Sequence, residues 1–363
     1  MNCCTNCFQD AVLVAFVRRN GRIGTCDFCA SRRVKTISPT DLLNLFKPVI
    51  AEFERVGPDD PRPGGRLCDA LEWMPGWKIF SRRLSSASKM QLLRGMFSAP
   101  KINVGGNWAP RMDSILFEAI EAIWWNFSQH IKGQRRFILG NQYKDDPKNW
   151  LPAFLPSVSK RIPKSKRLYR ARVGYHDSGI EAGYQPFPHD QLGAPPKDKI
   201  TRGGRANPPG IAYLYTAEEE ATAVAEVKPF IGALVSASAF NPKIDLKIVD
   251  LTQAHRIQSP FGHANLTREI LRCDLLRFLN EELAEPVDPD RDSIEYVPCQ
   301  YIVEVIRDSG FDGVRYRSAM RNGGHNIVFF DPDNFIPVGS PMLFRIREQQ
   351  IKYEIWKPPT GGI

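Results

Sequence analysis

The chain has 363 residues, of which 42% are hydrophobic and 25% charged, the composition of an ordinary globular protein. Its length favours two domains over one. No segment approaches the ~18 uninterrupted apolar residues of a membrane helix, and the opening MNCCTNCFQD lacks the basic start and apolar run of a signal peptide. We therefore expect a cytoplasmic protein with no membrane partner.

The net charge of +9 is unevenly distributed. Residues 61–210 contain 25 Lys and Arg against 11 Asp and Glu, whereas residues 211–363 contain 16 against 22. A basic middle region suits a polyanion, a phosphorylated small molecule or an acidic protein partner. A solvated basic surface explains the same charge, and charge alone favours that simpler interpretation.

The first residues contain two closely spaced cysteine pairs, which are Cys4-x2-Cys7 and Cys26-x2-Cys29. Two such turns can complete a tetrahedral site, so the spacing predicts structural zinc. Cys3 is a spare ligand. The alternative is a set of free or disulfide-bonded cysteines, and a cytosolic setting disfavours disulfides.

The spacer between the pairs, AVLVAFVRRNGRIGTC, predicts a β-hairpin that turns at Asn20-Gly21. Two knuckles joined by a hairpin resemble a zinc ribbon, which we place at residues 1–36. Ser38 then caps a helix with apolar spacing up to Phe53, and further helical patterns cover 85–97 and 111–128. We expect a small helical domain at 37–150 with a structural or docking role.

Residues 151–167 are rich in Pro, Lys and Arg and are interpreted as a linker. From residue 168 the pattern becomes mixed, which predicts an α+β fold over 168–345 and a C-terminal tail at 346–363. Apolar runs predict strands and periodic segments predict helices. The strands are at 211–215, 247–251 and 326–330, and the helices are at 217–228, 265–284 and 298–309.

Two segments of this region contain arginines suited to phosphate. Arg170, at a strand, can hold a phosphate with two hydrogen bonds, although a lone arginine is more often part of a surface ion pair. In TRGGRANPPG, glycines let the backbone approach a ligand, and Arg202 and Arg205 add charge. The preceding residues 186–199 are either a lid or an ordinary surface loop.

The segment IAYLYTAEEEATAVAEV contains four glutamates. Thr216 is positioned to cap its helix, and the helix dipole and solvent explain residues 218–220. Glu226 lies at the edge of the apolar side of the helix, where a carboxylate must be paired or must line a pocket. Either it forms a salt bridge, or it is held ready for positive charge in a transition state.

A fourth segment, GFDGVRYRSAMRNGGHNIVFF, places Ser318 and His325 at the ends of two strands. Ser318 lacks the G-x-S-x-G setting of a hydrolase nucleophile and is interpreted as a binding group. His325 has no partner at metal-ligand spacing and is expected to support structure.

The ordered set of Arg170, GGRANPPG, Tyr215, Glu226 and Tyr-Arg-Ser318 resembles the RES family of bacterial toxins over about residues 165–340. An arginine, a tyrosine ten residues later and a glutamate eleven further follow the family's pattern. The resemblance implies an ADP-ribosyltransferase-like fold and an enzyme that consumes NAD. It also implies an N-terminal extension like the helical HEPN domain. The insert before Arg202 is longer than in compact members. HEPN ribonucleases use an arginine and a histidine that lie four to six residues apart on one helix. No arginine precedes His130 at that spacing.

The resemblance also implies roles for individual residues. Glu226 would act at the scissile bond, with Arg170 on the diphosphate and Ser318 on the nicotinamide ribose or a phosphate. Arg205 would contact phosphate or ribose, and Tyr215 would pack against nicotinamide. Further contacts are expected from Tyr169 and His325.

These expectations predict a toxin that cleaves the nicotinamide N-glycosidic bond of NAD, as a glycohydrolase or phosphorylase. The absence of a Gly-x-Gly-x-x-Gly fingerprint agrees with NAD as a consumed substrate. One alternative is a protein ADP-ribosyltransferase on the same fold. The other is a zinc-dependent nucleic-acid-binding protein, for which salt-dependent affinity is expected. An antitoxin or immunity protein and a second copy of the chain are the protein partners to expect, and nucleic acid is a less favoured one.

Overall fold

The computed structural model describes residues 1–60, 62, 64–74, 76–98, 103–111, 115–140, 146–177, 183–253, 257–288 and 290–349, with the side chains of 115–119 excepted. Two compact units are present: residues 1–129 with 253–279, and residues 130–252 with 280–363. The boundaries expected at 36, 150 and 167 coincide with none of the limits of these units. Of the expected tail, residues from 350 onward lie outside the described part.

The first unit contains a small three-stranded sheet, a two-stranded sheet and several helices. Its helices and strands, in chain order, are β1 (Cys3–Cys4), α1 (Ala11–Asn20), β2 (Arg22–Gly24), β3 (Val34–Ile37), α2 (Leu43–Ala51), β4 (Phe53–Val56), α3 (Leu67–Trp73), α4 (Ser86–Met96), β5 (Asn107–Pro110), most of α5 (Ile115–Gly133) and most of α8 (Leu266–Ala284).

The hairpin predicted between the cysteine pairs is wrong, because α1 occupies the spacer. The side chain of Asp10 accepts hydrogen bonds from the amides of the second and third helical residues and so caps the helix. Leu13 and Val17, one turn apart, are fully buried. Gly21 ends the helix by donating to the Val17 carbonyl at 2.9 Å, so Asn20-Gly21 is a helix terminus and not a hairpin turn. Because the zinc-ribbon prediction depended on that hairpin, the ribbon topology is wrong as well.

The helices expected beyond residue 37 are largely present. Ser38 forms a capping box with Asp41 at a 3-10 turn, after which α2 begins. The helix expected at 85–97 is α4, capped by Ser85. Phe53 begins β4 instead of ending a helix, and β4 pairs with β5, which the sequence pattern did not indicate. The segment is therefore mixed instead of purely helical.

The second unit is built on an eight-stranded mixed sheet with the order β15-β11-β7-β10-β14-β13-β12-β6. Neighbouring strands in this sheet are antiparallel, except that β12 and β13 are parallel to each other. Its elements are β6 (Ser159–Ile162), β7 (Leu168–Val173), β8 (His176–Asp177), β9 (Tyr184–Gln185), α6 (His189–Leu192), β10 (Leu214–Ala217), α7 (Glu220–Glu226), β11 (Leu234–Pro242), β12 (Leu246–Asp250), the end of α8 (Leu266–Ala284), α9 (Asp292–Glu295), α10 (Val297–Asp308), β13 (Gly313–Arg317), β14 (His325–Phe329) and β15 (Phe335–Arg345).

The mixed α/β character predicted for the C-terminal half is confirmed, and each of the three predicted strands and three predicted helices has a counterpart. The linker predicted at 151–167 is wrong. Three 3-10 turns lead into β6, which pairs with β12 at the edge of the sheet. Leu155, Val158 and Ile162 are buried there, so this polar-looking stretch contributes core side chains at every third or fourth position.

The two faces of the sheet have separate apolar clusters. Leu168, Leu214 and Leu192 of α6 belong to one cluster, and Ala171, Ala217 and Ala223 of α7 belong to the other. The small side chains of the second cluster let α7 lie close to β7 and β10. Within the described residues, no helix is both long and apolar enough to cross a membrane.

Candidate active site

A pocket opens where two neighbouring strands of the sheet separate. β10 pairs with β14 at four positions, but among the described residues it pairs with β7 at Ala217–Tyr169 alone. The strands diverge beyond this pair and leave a pocket of about 290 Å³. It is lined by Tyr169, Arg170, Ala171, Tyr215, Thr216, Ala217, Ala223, Glu226, Val227, Tyr316 and Asn326. The sheet thus brings three separated sequence segments to one place.

Glu226 is the last residue of α7 and borders this pocket. The carboxyl end of a helix carries negative partial charge, so a carboxylate there does not serve helix stability. Its Oε1 accepts hydrogen bonds from the Ser318 hydroxyl at 2.5 Å and from the Asn326 amide at 2.7 Å. Among the described residues, no basic side chain forms an ion pair with Glu226 and no donor reaches Oε2. The salt-bridge alternative is therefore not what the structure shows.

Ser318 lies behind Glu226 and does not line the pocket. Its side chain is 7% exposed, and its Oγ accepts from the amides of Met320 and Arg321 while donating to Glu226. All hydrogen-bonding capacity of this hydroxyl is thus used within the protein. Ser318 positions the carboxylate, and its hydroxyl is directed to Glu226 and to two backbone amides instead of into the pocket.

Arg170 spans the gap between the separating strands. Its Nη1 donates to the Tyr215 carbonyl at 3.1 Å, where β7 and β10 no longer pair. Burial lowers the pKa of its guanidinium. No carboxylate among the described residues forms an ion pair with Arg170. A partly buried cation without a counter-ion is costly, and a negative charge in the pocket would reduce that cost.

Tyr215 is held rigidly by the segment GGRANPPG. Its hydroxyl donates to the Asn207 side chain at 2.6 Å and accepts from the Ala206 amide at 2.9 Å. A Cβ on Gly204 would lie 2.6 Å from that hydroxyl, so the glycine is required by this close packing and not by a ligand. Burial raises the pKa of the Tyr215 phenol, which keeps it protonated and fixed as a pocket wall.

Arg205 is not at the pocket. Its Nη1 donates to the carbonyls of Leu283 and Glu285, both at 2.6 Å, and its guanidinium lies 5.4 Å from the Tyr296 ring centroid. The last carbonyls of a helix lack partners within it, and a cation there also complements the dipole. Arg205 is used in this way at the end of α8, so the structure does not support its expected contact with phosphate or ribose.

Of the run Glu218 to Glu220, Glu219 and Glu220 lie at the start of α7 as the sequence indicated, whereas Glu218 does not. α7 begins at Glu220, and Thr216 donates to the Ile327 carbonyl instead of capping the helix. Glu218 forms a 2.7 Å ion pair with Arg315, which also binds the fully buried Asp250 at 3.0 Å. The same cluster contains further groups around these carboxylates, namely Lys160, Lys166 and His325. His325 therefore supports structure, as the sequence indicated.

For residues 186–199 the sequence left two alternatives, a lid over the site or an ordinary surface loop. In the structure they contain α6 and do not line the pocket. Leu192 packs in the cluster on the opposite sheet face from α7, and His189 binds the Ser238 hydroxyl at 2.8 Å. The sequence indicated no site role for several of the pocket residues, among them the polar Asn326 and Tyr316. An amide inside the apolar strand HNIVFF was a usable signal, because a buried polar side chain needs a partner.

The four predicted zinc ligands meet in the first unit. The sulfurs of Cys4, Cys7, Cys26 and Cys29 all lie within 4.8 Å of one another.

No curated protein matches the chain. A chain in the crystal structure of the M. tuberculosis MbcT-MbcA toxin-antitoxin complex is 14% identical, with 54% of this chain and 92% of that chain covered and a TM-score of 0.30. Residues 167–344, which include every residue of the pocket, match the family model of the RES domain.

Proposed function

We propose that the chain is an NAD-consuming enzyme of the RES type, which cleaves the bond between nicotinamide and ribose. One observation carries this proposal. The Glu226 carboxylate has Oε1 held by two neutral donors and Oε2 without a partner among the described residues, in a pocket that also contains the unpaired Arg170. The match of residues 167–344 to the RES domain supports it.

The pocket groups suit the chemical parts of NAD. The dinucleotide carries phosphates, and a guanidinium without a counter-ion binds phosphate through charge-assisted hydrogen bonds. The nicotinamide is a flat ring, for which Tyr215 and Tyr169 offer aromatic walls. A volume of about 290 Å³ is at the low end for small-molecule sites, which suits the reacting half of the dinucleotide.

The reaction needs negative charge where Glu226 supplies it. The glycosidic bond breaks with its electron pair going to the departing nicotinamide, which becomes neutral, and the ribose develops oxocarbenium character. A fixed carboxylate stabilises that cation. Ser318 and Asn326 fix the carboxylate with neutral donors, so its negative charge is retained. A salt bridge would instead neutralise that charge.

The acceptor then completes the new bond to ribose. Water loses a proton as it attacks and gives ADP-ribose, and inorganic phosphate gives a phosphorylated ADP-ribose. We rank these two acceptors above a protein side chain, because no sequence feature marks a protein-acceptor site. In this proposal the enzyme works in the cytoplasm, depletes NAD and arrests growth, and an antitoxin restrains it.

The experiment is to incubate the full chain with NAD and to quantify free nicotinamide by chromatography. We expect Glu226→Gln, which keeps shape but removes charge, to lower release by about 10²–10³-fold or more. The matched control is Glu220→Gln, the same change on the same helix at a residue that does not line the pocket, and it should behave as wild type.

Product analysis with and without phosphate separates the acceptors. ADP-ribose indicates hydrolysis, the phosphorylated sugar nucleotide indicates phosphorolysis, and label retained on protein indicates ADP-ribosyl transfer. Equal nicotinamide release by folded Glu226→Gln and wild type would overturn the role of Glu226. Failure of wild type both to bind NAD in calorimetry and to release nicotinamide would overturn the function.

A further inference from the structure

The cysteine cluster of the first unit has the size of a tetrahedral metal site. The Sγ atoms of Cys4 and Cys7 are 3.9 Å apart, and those of Cys4–Cys29 and Cys7–Cys26 are each 3.4 Å apart. Four thiolates at ~2.3 Å from a zinc ion lie about 3.8 Å from one another. All four cysteines are free. The sulfurs are thus already arranged around a common centre.

A fifth cysteine next to the cluster does not belong to it. Cys3 precedes Cys4 in β1, and successive side chains of a strand point to opposite faces. The Cys3 sulfur faces the Ile37 carbonyl at 3.6 Å, away from the four others. The spare ligand considered from the sequence is therefore excluded by the strand geometry.

The surroundings of the cluster are those of a closed site. Cys4 and Cys7 are fully buried and Cys26 is 2% exposed, so three of the four ligands are shielded from solvent. The Phe28 amide donates to the Cys26 sulfur at 3.4 Å, and the Ser31 hydroxyl lies 3.1 Å from the Cys29 sulfur. Such second-layer hydrogen bonds orient metal-bound thiolates.

The backbone around the cluster combines short strands with two left-handed residues. β1, β2 and β3 have two, three and four residues, at or below the short end of the usual strand length of about 3–10 residues. Immediately after Cys29, Ala30 adopts a left-handed backbone with φ of 57°, and Arg33 adopts one with φ of 54°. Such conformations persist where the surrounding structure enforces them.

We propose that Cys4, Cys7, Cys26 and Cys29 bind one zinc ion in a closed structural site that holds β1 and the loop before β3 together. Zinc is the metal that prefers four thiolates in tetrahedral geometry without redox chemistry. All four positions are filled by protein, so no position is open for a substrate. The site is independent of the proposed NAD chemistry, whose residues are in the other unit.

The test measures zinc in the full chain, purified without a metal-binding tag, by inductively coupled plasma mass spectrometry. Wild type is expected to carry about one zinc per chain. Cys26→Ser should lose it, whereas Cys3→Ala, which removes an equally buried neighbouring thiol, should keep it. Cobalt substitution provides a second readout, because tetrahedral thiolate coordination gives intense visible absorption in wild type and in Cys3→Ala.

Two further measurements keep the test decisive if Cys26→Ser fails to fold. Cys29→His replaces the most exposed ligand by another zinc ligand and should retain metal, whereas Cys29→Ser should not. In wild type, a chelator should make four additional thiols reactive while one zinc is released. Folded wild type without metal, disulfides between these cysteines, or equal zinc loss from Cys3→Ala and Cys26→Ser would overturn the proposal.

Discussion

Ser318 and Glu226 are 92 residues apart in the chain, and the serine hydroxyl donates a 2.5 Å hydrogen bond to one carboxylate oxygen of the glutamate. The contact depends on the loop after β13 approaching α7 closely. A Cβ on Gly324 would lie 2.7 Å from the Thr222 hydroxyl, and Arg321 binds Glu219 at the start of the same helix. The loop thus contacts α7 near both of its ends, and the carboxylate is fixed before any ligand arrives.

Ser318→Ala should lower kcat for nicotinamide release by about 10- to 100-fold, because a hydrogen bond to a charged group contributes roughly 1.5–3 kcal/mol. KM for NAD should change little, since Ser318 does not line the pocket. Steady-state kinetics separate the two constants, and the control is Ser309→Ala, at the end of α10 and outside the pocket. A raised KM with unchanged kcat would show instead that the serine binds substrate.

Asn326→Asp should be more harmful than Asn326→Ala. The wild-type amide donates to Oε1 of Glu226 at 2.7 Å, and an aspartate there would place a second negative charge against the first. Asn326→Ala should cost about 10-fold in kcat through one lost hydrogen bond. Asn334→Asp, which also replaces an amide beside a carboxylate but outside the pocket, is the matched control. Equal kcat values for Asn326→Asp and Asn326→Ala would contradict the argument.

The sequence predicted elements whose signals are local. The cap at Ser38 and the strand at 326–330 depend on neighbouring residue types, and the structure agrees with both. The spacer after Cys7 was ambiguous, because a short apolar run fits a strand or a helix. The side chain of Asp10 caps a helix at the start of the spacer and so favours helix over strand. Asn20-Gly21 then marks the end of that helix.

The candidate site was predictable only in part: Glu226, Arg170 and Tyr215 line the pocket, whereas Arg205 does not. Arg205 and Arg170 look alike in sequence, and the difference comes from what each guanidinium reaches in three dimensions. Arg205 meets unpaired carbonyls at the end of α8, whereas Arg170 meets a gap between strands. No local pattern encodes such long-range partners. The same holds for Glu218, whose partner Arg315 is 97 residues away.

Arg170→Met should raise KM for NAD by about 10- to 100-fold, the value of a charge-assisted hydrogen bond to phosphate. Loss of the bond to the Tyr215 carbonyl is offset by removal of an unpaired buried charge, so the melting temperature should change by a few degrees at most. The control is Arg172→Met, two residues along β7, where the guanidinium stacks on Phe187.

A second substrate sharpens the Arg170 test. Nicotinamide riboside carries the same scissile bond and no phosphate. If Arg170 binds the diphosphate, Arg170→Met should leave kcat/KM for the riboside near the wild-type value while lowering it for NAD. An equal loss for both compounds would place Arg170 at the reacting ribose or in a structural role.

Arg315→Met should destabilise the second unit by about 3–5 kcal/mol near neutral pH, because it leaves the buried carboxylates of Asp250 and Glu218 without their main partner. Burial alone would raise the pKa of the Asp250 carboxyl, but hydrogen bonds from Thr252 and Arg315 outweigh it and hold the pKa below its usual value. The pKa of Glu218 is lowered in the same way, by Arg315 against burial.

The sign of the pH dependence follows from these directions. In wild type the carboxylates favour folding above their unfolded pKa values of about 4, and that contribution is lost as the pH falls further. In Arg315→Met both pKa values rise relative to wild type, because the guanidinium that opposes burial is gone, so protonation costs the variant less than it costs wild type. The difference in unfolding free energy between wild type and variant should therefore shrink from pH 7 towards about pH 4, as measured by urea titration. Arg317→Met, an exposed arginine on the same strand, should show no such trend, and a constant difference for Arg315→Met would mean that lost packing, not charge, causes the destabilisation.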